Sequence, residues 1–217
     1  ILNRIIRAVP TGWEYECDQR HAEIILEELD LKRCKPVGTP GVEDTLKRSV
    51  EDEAHGAIPL SPAAATQYRG LTARANYMAQ DRAEIQYAVK ELCRRMAKPV
   101  NSDWKKLVRL ARYLKGAPRC VWKFNWQASS ELIPPTGFSD SDWVGDRNTG
   151  KSTSGGVVMI GHHLIKAWSR TQDAITLSSA EAELVALGKL AMEILGIRSM
   201  CEEWHMSRAD QTSSLLA

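Results

Sequence analysis

Apolar residues follow two rhythms along this chain. Near the start, Ala22, Ile25, Leu26 and Leu29 recur at helical spacing behind Asp18, a residue suited to cap a helix, and Pro36 closes the run. From Gly38 to about Thr66 the chain holds Gly, Pro, Ser, Glu and Asp with few large apolar residues, which reads as a linker. The helical rhythm returns after Gln67. Asp81 and Glu84 have the D-x-x-E spacing of a capping box, and Ile85, Ala88, Val89, Leu92 and Met96 follow on one face until Pro99. A further helix from Ser102 buries Trp104, Leu107, Val108, Ala111 and Leu114, with Gly116 placed as a left-handed terminator. At Cys120 the period drops to two. Cys120, Trp122, Phe124 and Trp126 alternate with Val121, Lys123 and Asn125, so the two tryptophans read as one strand face in the core.

From Thr136 onward the character changes again. Short strand-like runs occur at Gly137–Asp140, Gly155–Ile160 and Leu164–Arg170. A long helix then starts near Ser178, where Ser178 and Glu181 form another capping box, and continues to about Trp204. Its expected apolar stripe is Leu184, Leu187, Leu190, Ala191, Ile194 and Leu195, with Lys189 and Glu193 as a solvent-facing pair. The order predicts an α/β chain, α+β overall, in four regions: 1–37, a linker over 38–66, a helical segment over 67–126, and 136–217.

Composition narrows this picture only slightly. A chain of 217 residues with a net charge of +2 is long enough for one or two domains and does not announce a nucleic-acid binder. Cys17, Cys34, Cys93, Cys120 and Cys201 are scattered and contain no C-x-x-C pair, which argues against structural zinc and for a reduced, intracellular setting. No apolar run reaches the roughly 18 residues a membrane span needs, and no signal-peptide pattern opens the chain. Beginning on Ile1, it reads as a piece of something longer.

Candidate chemistry sits mostly in the last region. Gly145–Ser152 fits the phosphate-loop pattern G-x-x-x-x-G-K-[ST]. That loop needs an apolar strand before it and a helix after it. Here the preceding residues include Ser139, Asp140, Ser141 and Asp142, and the following ones are Gly and β-branched, so a polar hairpin connection is expected and a nucleotide hydrolase is the remote alternative. Glu183 lies in line with Leu187, Leu190 and Ile194, on the expected buried side of the long helix. An acid there needs a partner, although a carboxylate favoured by the helix dipole explains the same spacing equally well. Asp140 ends a short strand. If that strand lies beside the start of the Glu183 helix, two carboxylates converge, and such a pair suits Mg²⁺ or Mn²⁺. Asp142 and Asp146 read as plain turn residues, and His162 and His163 as turn sequence between two strands. The basic face Lys105, Lys106, Arg109, Arg112 and Lys115 suits either solvent or a phosphate backbone.

Three segments in order, Phe138–Asp146, Ser152-Thr153-Ser154-Gly155-Gly156 and Leu177–Glu183, resemble the signatures of copia-type retrotransposon ribonuclease H domains. Tyr68–Leu71, Tyr77-Met78, Asp81-Arg82, Ala88-Val89 and Arg112–Gly116 resemble the connection between reverse transcriptase and ribonuclease H in the same Pol polyproteins. Cys34–Pro40 resembles the end of the polymerase portion. The resemblance implies an incomplete ribonuclease H-like mixed sheet with a long helix. It implies cleavage of the RNA strand of RNA/DNA hybrids by two Mg²⁺ ions held by four acidic side chains, the first two being Asp140 and Glu183. The hybrid, or another nucleic acid, and the remainder of the polyprotein are the implied partners, with Lys105, Arg109, Arg112 and Lys115 as candidate contacts. Asp210 echoes a third acid but follows the helix too closely for a strand to intervene. No fourth acid follows, and no Tyr-x-Asp-Asp motif occurs. The expectation is therefore a partial polyprotein of little nuclease activity, or a non-catalytic nucleic-acid-binding remnant.

Overall fold

The computed structural model describes residues 3–41, 57–127, 133–146 and 149–204. In chain order they form β1 (Ile5–Val9), β2 (Gly12–Glu16), α1 (Arg20–Glu28), α2 (Pro62–Met78), a 3-10 turn at Ala83–Ile85, α3 (Gln86–Cys93), α4 (Asn101–Gly116), β3 (Val121–Asn125), β4 (Pro135–Asp146), β5 (Lys151–Ile160), β6 (His163–Thr171) and α5 (Ser179–Glu203). This is the α+β order read from the sequence, a helical region followed by a sheet and a long helix. Two compact units result, Ile1–Trp122 and Lys123–Ala217, dividing within β3. Among the described residues no helix is long and apolar enough to cross a membrane.

The first unit is built on helix packing. Tyr68, Leu71, Ile85, Leu92, Leu107, Leu110 and Leu114 are fully buried together with Ile25, and the Tyr68 hydroxyl donates to Leu92 O at 2.9 Å. Each such side chain contributes roughly 1.5–3 kcal/mol by leaving water. Two elements here were not legible in the pattern. α2 begins inside the expected linker, because Ser61 Oγ accepts the Ala64 N–H at 3.3 Å and Pro62 fills the first turn, where its missing N–H is harmless. In the β1–β2 hairpin, β1 exposes four of its five residues, Ile5 and Ile6 among them, so it carries little alternation.

Three local expectations are corrected. Asp81 caps no helix; its carboxylate accepts from Arg4 Nε at 2.7 Å and from the Tyr15 hydroxyl at 2.8 Å. Gly116 is not a left-handed terminator but the last residue of α4, and a Cβ there would stand 3.0 Å from Pro36 Cβ. Close approach, not φ, asks for glycine at that position. Trp126 lies beyond β3 and is exposed, while Trp122 is partly buried and donates to Asp81 O.

Glu16 is a buried acid with three donors: Arg119 Nε and Arg7 Nη1, each at 2.7 Å, and the Gln19 amide. The Arg119 hydrogen bond, assisted by that from Arg7, outweighs burial and holds its pKa at about 2, against an ordinary 4.5. A depressed acid stabilises the fold fully above its unfolded pKa, and that contribution disappears as pH falls through the folded value. Stability should therefore decline between about pH 4.5 and 2, and Glu16→Gln should flatten that part of the profile. Urea midpoints measured across that range check this; an unchanged slope in the variant would refute it.

In the second unit the strands run in the order β4-β5-β6. Both pairings are antiparallel, where a mixed sheet was anticipated. α5 packs on one face of this sheet through Leu190 and Ile194, against Val158 and Trp168. Glycines make the close approach possible. A Cβ at Gly137 would overlap Leu190 and stand 2.9 Å from Ile194 Cδ1, and one at Gly156 would overlap the Trp168 ring. The buried stripe of α5 is Ala182, Ala186, Leu190 and Ile194. Leu184 and Leu195, expected inside, are 67% and 58% exposed. The helix is apolar on both sides, so spacing could not choose between them; the small alanines let one side approach the sheet. Glu193 likewise proves only partly exposed, taking ion pairs from Lys189 at 2.7 Å and from Lys166 on β6.

Candidate functional site

β4 places alternate residues on opposite faces of its sheet. Gly137, Ser139 and Ser141 lie opposite Val158, Gly156 and Ser154 of β5 on the face that receives α5. Phe138, Asp140 and Asp142 occupy the other face and are exposed. Asp140 stands opposite Gly155, so β5 offers no side chain beside its carboxylate.

The start of α5 fixes the second acid. Ser178 Oγ accepts the Glu181 N–H at 3.2 Å, and Glu181 Oε2 accepts the Leu177 N–H at 2.7 Å, so Glu181 belongs to the cap. Glu183, two residues on, points at β4. Its Oε1 accepts from Ser141 Oγ at 2.9 Å and from Ser141 N at 3.2 Å. The structure thus brings Glu183 onto the residue that follows Asp140, while the two carboxylates share no hydrogen bond. Glu183 itself is exposed. Burial, expected from the spacing, therefore does not act on Glu183, because the first turn of α5 stands at the open margin of the sheet.

Sequence reasoning missed the group that holds α5 there. Gln172 is 5% exposed, and its Nε2 donates to Ser154 Oγ and to Ala182 O, both at 2.9 Å. It ties the first turn of the helix to β5. Beside it Ser152 Oγ is hydrogen-bonded to Thr176 Oγ1 at 3.0 Å and accepts the Val144 N–H at 3.1 Å. The Ser-Thr-Ser-Gly-Gly motif is therefore structural chemistry: its serines satisfy buried polar groups and Gly156 admits Trp168. The available signal was a glutamine just past a β-rich run, which no periodicity marks. β4 also carries a bulge between Asp142 and Asp146, where Val144 sits at φ 54, a strained position for a β-branched residue.

The remaining candidates resolve differently. Gly145–Ser152 joins β4 to β5 with strand on both sides, so the phosphate-loop match is a hairpin. His163 uses both ring nitrogens locally, Nε2 with Asn125 O and Nδ1 with Gln127 Nε2, each at 2.9 Å. On α4, Arg109 donates to Thr39 Oγ1 at 2.7 Å, Arg112 to Lys35 O at 2.9 Å, and Lys115 to Lys32 O. Those three cations hold the Lys32–Thr39 segment against the helix; Lys105 is exposed. Among the described residues no three His, Cys, Asp or Glu side chains gather as a metal site. Asp210 lies outside those residues.

Comparison with known proteins adds context. The chain is 30% identical over 197 residues to the retrovirus-related Pol polyprotein from transposon RE2 of Arabidopsis thaliana, covering 91% of this chain and 13% of that protein. It is 26% identical over 208 residues to the corresponding polyprotein from transposon TNT 1-94 of Nicotiana tabacum, 92% of this chain and 15% of the relative. An uncharacterized mitochondrial protein of Arabidopsis thaliana is 29% identical over 189 residues, 74% of its own length. The chain thus spans between about an eighth and a sixth of the Pol polyproteins it matches. No family model and no solved structure matches it.

Proposed function

This chain belongs to the Pol polyproteins of copia-type retrotransposons, and on that premise we propose that its second unit is a ribonuclease H-type domain. Asp140 and Glu183 are the metal-binding carboxylates in this reading. The observation that supports it is the seat of Glu183, whose carboxylate rests on the amide and hydroxyl of the residue after Asp140. Glu183, 43 positions after Asp140 in the chain, is thus bound to the residue next to it on β4.

The donor chemistry suits a hard cation, since both groups are exposed carboxylate oxygens of the type Mg²⁺ and Mn²⁺ take. The donor number does not suit a two-ion site, because the described residues gather no third ligand. No catalytic step through metal follows from these residues. The proposal is accordingly a ribonuclease H-type unit that supplies part of a ligand set and lies within a longer polyprotein. The purified chain with Mg²⁺ should cleave an RNA/DNA hybrid at no more than the rate of its Asp140→Asn variant, read on a denaturing gel. Robust cleavage lost in that variant would overturn the incompleteness and confirm the residue.

A second reading, a non-catalytic nucleic-acid-binding piece, rests on the basic face of α4. The hydrogen bonds of Arg109, Arg112 and Lys115 to the Lys32–Thr39 segment give those cations a local structural role, so the carboxylate reading is preferred.

A further inference from the structure

We propose that Cys17 and Cys120 form a paired thiol site that reacts with low-molecular-weight disulfides of the glutathione class and closes into an intramolecular disulfide. Both residues belong to the first unit. Cys17 follows β2 directly and Cys120 immediately precedes β3. The Cys17 N–H donates to Cys120 O at 3.1 Å. A direct backbone hydrogen bond makes the two residues immediate neighbours on adjoining chain segments, the placement from which a disulfide, with its Cα atoms roughly 4.4–6.8 Å apart, is built. The Cys17 thiol donates to Asp81 O at 3.2 Å. The fold has brought two cysteines from opposite ends of the unit side by side.

The pair is asymmetric in the way such chemistry uses. Cys17 is 5% exposed, whereas Cys120 is partly open to solvent. The proximity of the two thiols raises the pKa of Cys17 and lowers that of Cys120, and the charge of nearby buried Arg82 favours both thiolates. Cys120 is therefore the attacking sulfur and Cys17 the resolving one. Cys93, by contrast, has its pKa raised by burial. In the first step the Cys120 thiolate attacks one sulfur of the small disulfide, forming a mixed disulfide and releasing one small thiolate. In the second, Cys17 gives its proton to that thiolate, and its sulfur displaces the remaining small thiol from Cys120. The two protein thiols lose two electrons, and the small disulfide gains them as two thiols.

The test uses the full chain, reduced and then exposed to oxidised glutathione under native conditions, with mapping by mass spectrometry without reduction. Trypsin cuts after Arg7, Arg20, Arg119 and Lys123, so Cys17 and Cys120 fall on separate short peptides. The expected result is a linked pair of those two peptides, at least about tenfold above any other linkage, and a free-thiol count lower by two. Cys17→Ser should stop at a glutathione adduct on Cys120. In urea the preference should vanish into mixed adducts over the five cysteines. Three results from the native wild-type chain would each overturn the proposal: adducts without a Cys17–Cys120 link, links through Cys34, Cys93 or Cys201, or unreacted thiols. Because the wild-type mapping decides it, a variant that failed to fold would not.

Discussion

Gly156→Ala is expected to destabilise the second unit by about 3 kcal/mol, the upper part of the range for forcing atoms into a packed core. The added Cβ would overlap the ring of Trp168, its direct partner on β6. Trp168 is only 8% exposed and packs against Val158, Leu190 and Ile194, so the ring cannot simply turn into solvent. Relief requires β5 and β6 to part or α5 to lift, and either motion loosens the helix that carries Glu183. Denaturant unfolding followed by circular dichroism measures the loss, and hydrogen exchange places it in 123–204. The double variant with Trp168→Leu should recover part of the stability, because the clash and its cause are then both reduced. A Gly156→Ala change of under about 0.5 kcal/mol would mean that the ring does not lie over this glycine.

The second large effect separates the two apolar sides of α5. Leu190→Ala should cost about 3 kcal/mol, within the roughly 2–5 seen when a buried leucine is truncated. Leu184→Ala should stay within about 0.5 kcal/mol, as is usual for a surface change. The first residue is fully buried over Gly137 and against Val158, while the second is 67% exposed. Both are leucines on one helix, so propensity is held constant and burial alone differs. Equal losses would show that the helix is rotated from the position described, and with it the contact between Glu183 and Ser141.

The helical region is largely legible in the sequence. Ala22, Ile25, Ile85, Val89, Leu92, Leu107, Ala111 and Leu114 all fall where their spacing put them, because a one-sided helix has only one apolar stripe to bury. Leu110 belongs to the same buried stripe. The strand positions of the second unit and the polar hairpin at Gly145–Ser152 were readable for a similar reason: period two and misplaced flanks are local properties. Ser178 with Glu181 was readable as a cap from spacing, since a cap is satisfied within one turn.

What spacing could not supply is everything that depends on a second element. Asp81 and Glu84 matched a capping box, yet Asp81 is held by Arg4 and Tyr15, residues more than sixty positions away. The two apolar sides of α5 were indistinguishable until Gly137 and Gly156 opened one face of the sheet to it. The sequence alone determined the helical region, the strands, the candidate acids and the family resemblance, because those follow from local period and motif order. Tertiary structure alone decided that Gln172 anchors α5, that Glu183 rests on Ser141, and that Cys17 meets Cys120. Each is a long-range pairing set by how β-strands and helices pack, and no local pattern in the chain encodes its partner.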